Sequence, residues 1–299
     1  MNQTVAELYR YGKNKLTEAG LESPAFDAMC LLDKVFGIGS RAQLATHGND
    51  IANQDSAREY IESVDRRLTT PLQYILGRWE FDGMEMHVGE GVLIPREDTL
   101  TIVEAVQNAL KCTDRPKILD LCAGTGAIGI SLARRINDAS VICLEKSDAA
   151  MPYLRHNIAE FGQNRVTPVI GDVLKSPDFD DMGKFDCIVS NPPYILSEDM
   201  QSLQWEVKCE PHMALDGGAD GLDFYRAICA HWTCLLKPDG IIAFESGYDI
   251  CDGVEAVMAA NGIDKIRRFK DIGGIDRCII GTVGCKFEDN TCIIRKNDI

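Results

Sequence analysis

The sequence predicts an α/β protein: a doubly wound, seven-stranded, mostly parallel sheet with a small N-terminal helical bundle and a β-hairpin linker ahead of it. Three observations carry this. From Lys117 onward, short apolar runs alternate with amphipathic helical stretches, the pattern of strands joined by crossover helices. Residues 4–70 instead keep a helical apolar period. Between the two, residues 79–86 alternate around Asp82-Gly83, a strong hairpin signal. A length of 299 residues suits two units. The boundaries fall at 1–76 for the bundle, 77–92 for the hairpin linker, 93–284 for the sheet domain and 285–299 for a C-terminal tail.

Within the bundle, Ser23-Pro24 supplies an N-cap and a first-turn proline, opening a helix through Phe36 that Gly37 ends. Ser40 and Gln43 have capping-box spacing for a short helix ending near Gly48. A third helix from about Asp55 places Tyr60, Ile61, Val64 and Leu68 on one face. The bundle has no chemical motif of its own, and packing, dimerisation and substrate recognition fit its pattern equally. After the hairpin, Val92-Leu93-Ile94-Pro95-Arg96 leads into a helix from about Asp98 to Leu110. By pattern, Pro95-Arg96 is an ordinary turn before a helix, with the mouth of a site as the second reading.

Composition narrows the function classes. A formal net charge of −15 argues against a protein that holds nucleic acid through its phosphates, and no direct stable nucleic-acid binding is expected. No run of eighteen apolar residues exists and the N-terminus lacks a signal-peptide pattern, so neither membrane association nor export is expected and a cytoplasmic location is the default. The 12 cysteines include no Cys-x-x-Cys pair, and most, among them Cys143, Cys187, Cys229, Cys234 and Cys278, lie in apolar strands or helices. They read as reduced, buried thiols, and no metal site is expected.

The sheet domain begins with a buried strand at 118–121. The turn Cys122-Ala123-Gly124-Thr125-Gly126 follows, then a helix from about Ala127. Glycines in such a turn let a ligand approach the backbone closely at the carboxyl edge of the sheet. A second strand at 141–144 ends at Glu145, 21 residues beyond Gly124, where a carboxylate is placed to accept both hydroxyl hydrogens of a ribose. Val169-Ile170-Gly171-Asp172 forms a third strand whose closing carboxylate suits an adenine amino group. Two ligands fit this order: a nicotinamide dinucleotide and S-adenosylmethionine. Gly124 to Gly129 formally matches Gly-x-Gly-x-x-Gly, but its first glycine stands out of register with the end of the strand. Asp120 beside a sulfonium is favourable and beside a pyrophosphate is not, which favours S-adenosylmethionine.

A fourth strand at 185–190 is expected beside the first, where strand order reverses and the ligand crevice opens. It runs into Ser190-Asn191-Pro192-Pro193-Tyr194. The Asn191 side-chain oxygen and the Pro192 carbonyl offer two acceptors for the hydrogens of a planar NH2 group. Tyr194 offers a face to pack on it. An amide or nucleobase nitrogen is a poor nucleophile because its lone pair is delocalised. Binding both hydrogens aligns the nitrogen and builds electron density toward a methyl donor, without a strong general base. Glu210-Pro211 and a glycine-rich loop at 215–222 come next. A helix at 223–236, a strand at 240–244 ending at Glu245, a helix at about 253–261, and strands near Arg267 and at 278–283 complete the sheet.

Five segments together resemble the HemK family of peptide-chain release factor N(5)-glutamine methyltransferases. They are Leu93-Ile94-Pro95-Arg96-Glu97-Asp98-Thr99, Asp120-Leu121-Cys122-Ala123-Gly124-Thr125-Gly126, Asn191-Pro192-Pro193-Tyr194, Glu210-Pro211 and Asp271-Ile272-Gly273-Gly274-Ile275-Asp276-Arg277. Asn-Pro-Pro-Tyr alone is shared with DNA adenine methyltransferases, whereas Ile-Pro-Arg behind a helical N-terminal domain is far more specific. The resemblance implies a Rossmann-like S-adenosylmethionine-dependent methyltransferase domain, with the helical domain recognising a release factor as protein substrate. It implies methyl transfer to the side-chain amide of the glutamine in that factor's Gly-Gly-Gln motif, with S-adenosyl-L-homocysteine as product. By the same similarity Cys122, Ala123, Gly124, Thr125, Gly126, Glu145, Asp172, Val173 and Asn191 line the cofactor, and Asn191, Pro192, Pro193 and Tyr194 hold the glutamine. Cys122 stands where the family commonly has its first glycine, and Glu145 where it commonly has aspartate. The alternative is an amino-methyltransferase acting on adenine or another base, for which a basic recognition domain is missing. A non-catalytic cofactor binder fits poorly with the intact Asn191-Pro192-Pro193-Tyr194.

Overall fold

The computed structural model describes residues 3–177 and 183–284, so the tail expected at 285–299 lies outside the described residues. Five helices come first: α1 (Val5–Glu18), α2 (Pro24–Phe36), α3 (Arg41–His47), α4 (Gln54–Arg67) and α5 (Leu72–Leu76). They close around Leu8, Leu16, Leu31, Leu32, Tyr60 and Val64, all fully buried. Thr4 and Glu7 form a reciprocal capping box at the start of α1. At α3 only half of the expected box forms. Ser40 accepts from the Gln43 backbone, but the Gln43 side chain turns back to the Gly39 N–H.

The hairpin pairs β1 (Arg78–Phe81) with β2 (Met84–His87), and Asp82 and Gly83 between them both take positive φ (54° and 71°), as a two-residue hairpin turn requires. Arg67 fastens the bundle to the rest of the chain. Buried at the end of α4, it donates to Asp27 at 2.7 Å and to Glu206, and its guanidinium lies 5.5 Å over the Trp205 ring.

The sheet domain contains α6 (Leu100–Ala109), β3 (Lys117–Leu121), α7 (Ala127–Arg135), β4 (Ser140–Glu145), α8 (Met151–Phe161), β5 (Val166–Ile170) and β6 (Phe185–Ser190). There follow α9 (Trp205–Lys208), α10 (Asp223–His231), β7 (Leu236–Glu245), α11 (Cys251–Ala260), β8 (Ile263–Lys270) and β9 (Asp276–Val283). The seven strands lie in the order β5-β4-β3-β6-β7-β9-β8, with β9 antiparallel to both neighbours. Order reverses between β3 and β6, which pair in parallel, so the crevice opens at their carboxyl ends. Two apolar layers cover the sheet, one built on α6 and α7 and the other on α10 and α11.

The helix expected at 223–236 stops at His231, and Leu236 already belongs to β7, paired with Phe185. Trp232, Cys234, Leu235 and Leu236 carry apolar character from the end of the helix through the turn into the strand, so the apolar pattern alone does not mark the break. Cys234 lies in that turn and is exposed, contrary to the buried thiol expected, whereas Cys143, Cys187, Cys229 and Cys278 are buried. Among the described residues no helix is long and apolar enough to cross a membrane.

Candidate active site

A single cavity at the β3/β6 crevice gathers most of the residues singled out in the sequence. Cys122, Ala123, Gly124, Thr125, Glu145, Asp172, Val173, Asn191 and Pro193 line it, and Pro95, Arg96 and Thr99 complete its mouth. Pro95-Arg96 is thus more than the ordinary turn its pattern suggests. Gly126, Pro192 and Tyr194 do not line it. Gly126 begins α7 at φ 83°, and a Cβ there would come within 2.7 Å of Leu154 Cδ1, so its smallness serves packing.

Main-chain geometry shapes the turn after β3. Gly124 has φ 55° and donates its N–H to Glu145 Oε2 at 2.8 Å, while Glu145 Oε1 accepts from the Ser147 N–H at 2.7 Å. Both carboxylate oxygens are fixed at the end of β4, each with a lone pair left for a ligand hydroxyl. Cys122 sits at φ 60°, a left-handed conformation unusual for a residue with a side chain. Asp172, just past β5, is held by Lys146 at 3.0 Å and by the Leu174 N–H at 3.1 Å. Burial raises its carboxyl, but Lys146 and that N–H outweigh burial and keep it below its usual range.

Asp120 departs from expectation. It is buried beneath the turn, away from the cavity, with Oδ2 accepting from the Gly129 N–H at 2.9 Å and Oδ1 left without a partner. Burial pushes it up to about 7. It props the turn against α7 from below instead of facing a sulfonium. Gly129 must be small for the same reason: a Cβ would come within 2.5 Å of Cys143 Sγ and 2.9 Å of Asp120 Oδ2.

The donor set fits S-adenosylmethionine. A carboxylate stands where ribose hydroxyls need acceptors, a second where an adenine amino group needs one, and Leu144, Ala150, Ile128 and Val173 supply apolar walls.

Asn191 emerges from β6 on the cavity wall, followed by the buried Pro192 and Pro193. The 215–218 loop runs alongside. Ile195 donates to the Leu215 carbonyl at 2.9 Å and accepts from the Gly217 N–H at 2.8 Å. Gly217 permits this approach, since a Cβ there would fall 2.6 Å from the Tyr194 Cα. The Tyr194 hydroxyl is pushed up to about 12 by burial and by the nearby Glu245. Tyr194 packs against the apolar layer that includes α10 and α11 and seats Gly217, so it holds the loop from the protein side.

Charged residues from distant segments complete the surround. Arg96 pairs with Glu210, and Arg277 bridges Asp98 at 3.0 Å and Asp271 at 3.1 Å. Glu245, which the sequence offered only as a strand end, is buried behind Asn191. Burial pushes it up to about 7, while the Thr99 and Asn191 side chains and Arg277 favour its charged form. Neither side chain makes a bond of full geometry to Oε2, which has no partner. Only a buried carboxylate closing a strand beside β6 could have flagged it.

The chain matches the PrmC N-terminal domain over residues 7–77 and the methyltransferase small domain over residues 99–218. It is 37% identical over 247 residues to the release factor glutamine methyltransferase of Clostridium acetobutylicum, covering 82% of this chain and 86% of that one. The relative of the same name from Clostridium botulinum is 36% identical over 277 residues, covering 90% and 95%. The chain belongs to the release factor glutamine methyltransferase family. For fold alone, the solved catalytic domain of hMettl16 superposes with a TM-score of 0.56 over 77% of this chain and 84% of that one, at 16% identity.

Proposed function

We propose that this enzyme transfers the methyl group of S-adenosylmethionine to the side-chain amide nitrogen of the glutamine in a release factor's Gly-Gly-Gln motif. One observation supports it above the others: Asn191 and the Gly124–Glu145 pair line one cavity at the point where strand order reverses. When bound there, S-adenosylmethionine supplies an electrophilic methyl. The chain's own residues do the rest. Cys122, Ala123, Gly124, Thr125 and Gly126 form the turn, Glu145 takes the ribose hydroxyls, Asp172 the adenine amino group, and Val173 one apolar wall.

On the acceptor side, the Asn191 side-chain oxygen accepts one amide hydrogen and the Pro192 carbonyl, in the peptide unit that joins it to the cavity-lining Pro193, accepts the other. The target nitrogen is thereby oriented and its electron density directed into the cavity. Pro192 and Pro193 lack N–H groups that would compete for those acceptors and hold the backbone rigid. Tyr194 anchors the neighbouring loop. The proton leaves after methyl attachment, when the nitrogen has become acidic, so no strong base is needed. The α1–α5 unit serves as the release-factor-recognition domain, placed by Arg67 against Trp205 and Glu206.

Incubation of the enzyme with a release factor and S-adenosylmethionine, followed by peptide mass spectrometry, tests this. A one-methyl mass increase on the Gly-Gly-Gln glutamine is expected. No increase, or methyl appearing on DNA or RNA with none on protein, overturns it.

A further inference from the structure

A second constellation lies outside the cavity, where the hairpin meets α8. His87 ends β2, and His156 and Glu160 lie one turn apart on α8, so both project from one helix face. The three side chains converge. His87 Nε2 lies 3.1 Å from Glu160 Oε2, His156 Nε2 lies 3.6 Å from the same oxygen, and one ligand atom from each falls within 4.8 Å of the others. Two ligands bound tetrahedrally to one zinc ion at about 2.0–2.1 Å are about 3.3 Å apart. The two separations, 3.1 and 3.6 Å, bracket that value, and His156 is exposed, so its ring is free to rotate its nitrogen in.

The site is held from behind. Asn157, fully buried between His156 and the core, accepts the His87 N–H at 2.7 Å and donates to the His87 carbonyl at 3.1 Å. The end of β2 is therefore fixed to the helix that carries the other two ligands. Asn157 Nδ2 also donates to the Thr125 carbonyl at 3.0 Å, which ties this clamp to the cofactor turn. The two rings already lie with centroids 3.6 Å apart. Arg78 reaches Glu160 at 3.4 Å and is the cation that a metal must displace, with Glu85 at 4.0 Å as its remaining partner.

We propose that His87, His156 and Glu160 bind one divalent cation of borderline softness, zinc foremost, which clips the hairpin to α8. Two imidazoles and one carboxylate select such an ion over magnesium or calcium, and a water completes four-coordination. Sequence spacing did not suggest it, because His87 stands far from the α8 pair and the link is made only by the fold.

Calorimetric titration of the chelator-treated full-length protein with zinc sulfate tests this, with magnesium as a control and thermal unfolding read in parallel. One equivalent of zinc is expected to bind and raise the unfolding temperature. His156→Ala, an exposed position that leaves the fold intact, should bind at least about tenfold more weakly and lose the thermal shift. Equal zinc binding by wild type and His156→Ala, or none by either, overturns the proposal. Cobalt(II) loading separates this site from the exposed cysteines Cys112, Cys209 and Cys234. A thiolate charge-transfer band that survives in His156→Ala, with no change in the d–d bands, also overturns it.

Discussion

Glu210 accepts the Ile94 N–H at 2.9 Å with one carboxylate oxygen and pairs with the Arg96 guanidinium through the other. More than a hundred residues separate these partners, yet they hold the mouth of the cavity as one unit. Asp98–Arg277 repeats the device with the segment that ends in β9. The three motifs outside the glycine turn and Asn191-Pro192-Pro193-Tyr194 are therefore parts of one charged frame around Asn191.

Burial raises the Glu210 carboxyl even though Arg96 and the Ile94 N–H oppose it. Arg96→Met removes the main compensation and strands a buried carboxylate. With Arg96 itself partly exposed, a loss on the order of 2 kcal/mol is expected. Denaturant titration of the two proteins measures it. An unchanged midpoint with an unchanged slope shows that the pair does not hold the mouth.

Cys122 at φ 60° gives a backbone test. Cys122→Gly removes the left-handed strain, whereas Cys122→Val puts a β-branched side chain into the same conformation. The glycine variant should be the more stable of the two by about 1–2 kcal/mol. Equal unfolding midpoints would mean that the turn relaxes freely and that its conformation is not imposed by Glu145 and Gly129.

Much of this was legible in the sequence for local reasons. Asp82-Gly83 dictates a hairpin whatever surrounds it, Ser23-Pro24 and Gly37 punctuate α2, and strand and helix periods set the sheet. The glycine turn, Glu145 and Asn191 could be brought together because strand order in a doubly wound sheet is constrained. Three features were not legible. Asp120 was read as facing the ligand because strand alternation does not say which side of the turn its carboxylate takes. The seating of Gly217 against Tyr194 and the position of Glu245 behind Asn191 depend on contacts made across the sheet edge, which leave no local pattern.

Asp120 makes a prediction with a definite sign. Its folded pKa, about 7, lies above its ordinary value of 3.8 because the buried charge is poorly compensated. Stability from keeping it protonated is complete below about 3.8 and is lost as pH rises through about 7. Asp120→Asn retains an oxygen for the Gly129 N–H and carries no charge. Its stability relative to wild type should climb from about pH 4 to about pH 7 and level off above that, a gain on the order of a few kcal/mol. Parallel unfolding curves at every pH would show that Asp120 stays charged or neutral throughout.

The acceptor side gives the most discriminating pair of variants. Asn191→Ala removes an acceptor for the target amide but nothing in the donor turn, so methyl transfer should fall by roughly 10²-fold or more while cofactor affinity stays within about threefold. Glu245 acts one step further back. When ionised it can only accept hydrogen bonds, so it draws the Asn191 NH2 toward itself and turns the Asn191 oxygen to the cavity. When protonated it loses that preference, and Asp98, Arg277, Tyr194, Tyr225 and Cys278 are the other ionisable groups around it. The turnover number should rise with pH through about 7, where Glu245 ionises. Glu245→Gln should flatten that limb at a reduced rate with cofactor binding unchanged. A variant that keeps the wild-type pH profile would place the ionisation elsewhere, and one that loses cofactor binding in step with rate would assign Glu245 to packing alone.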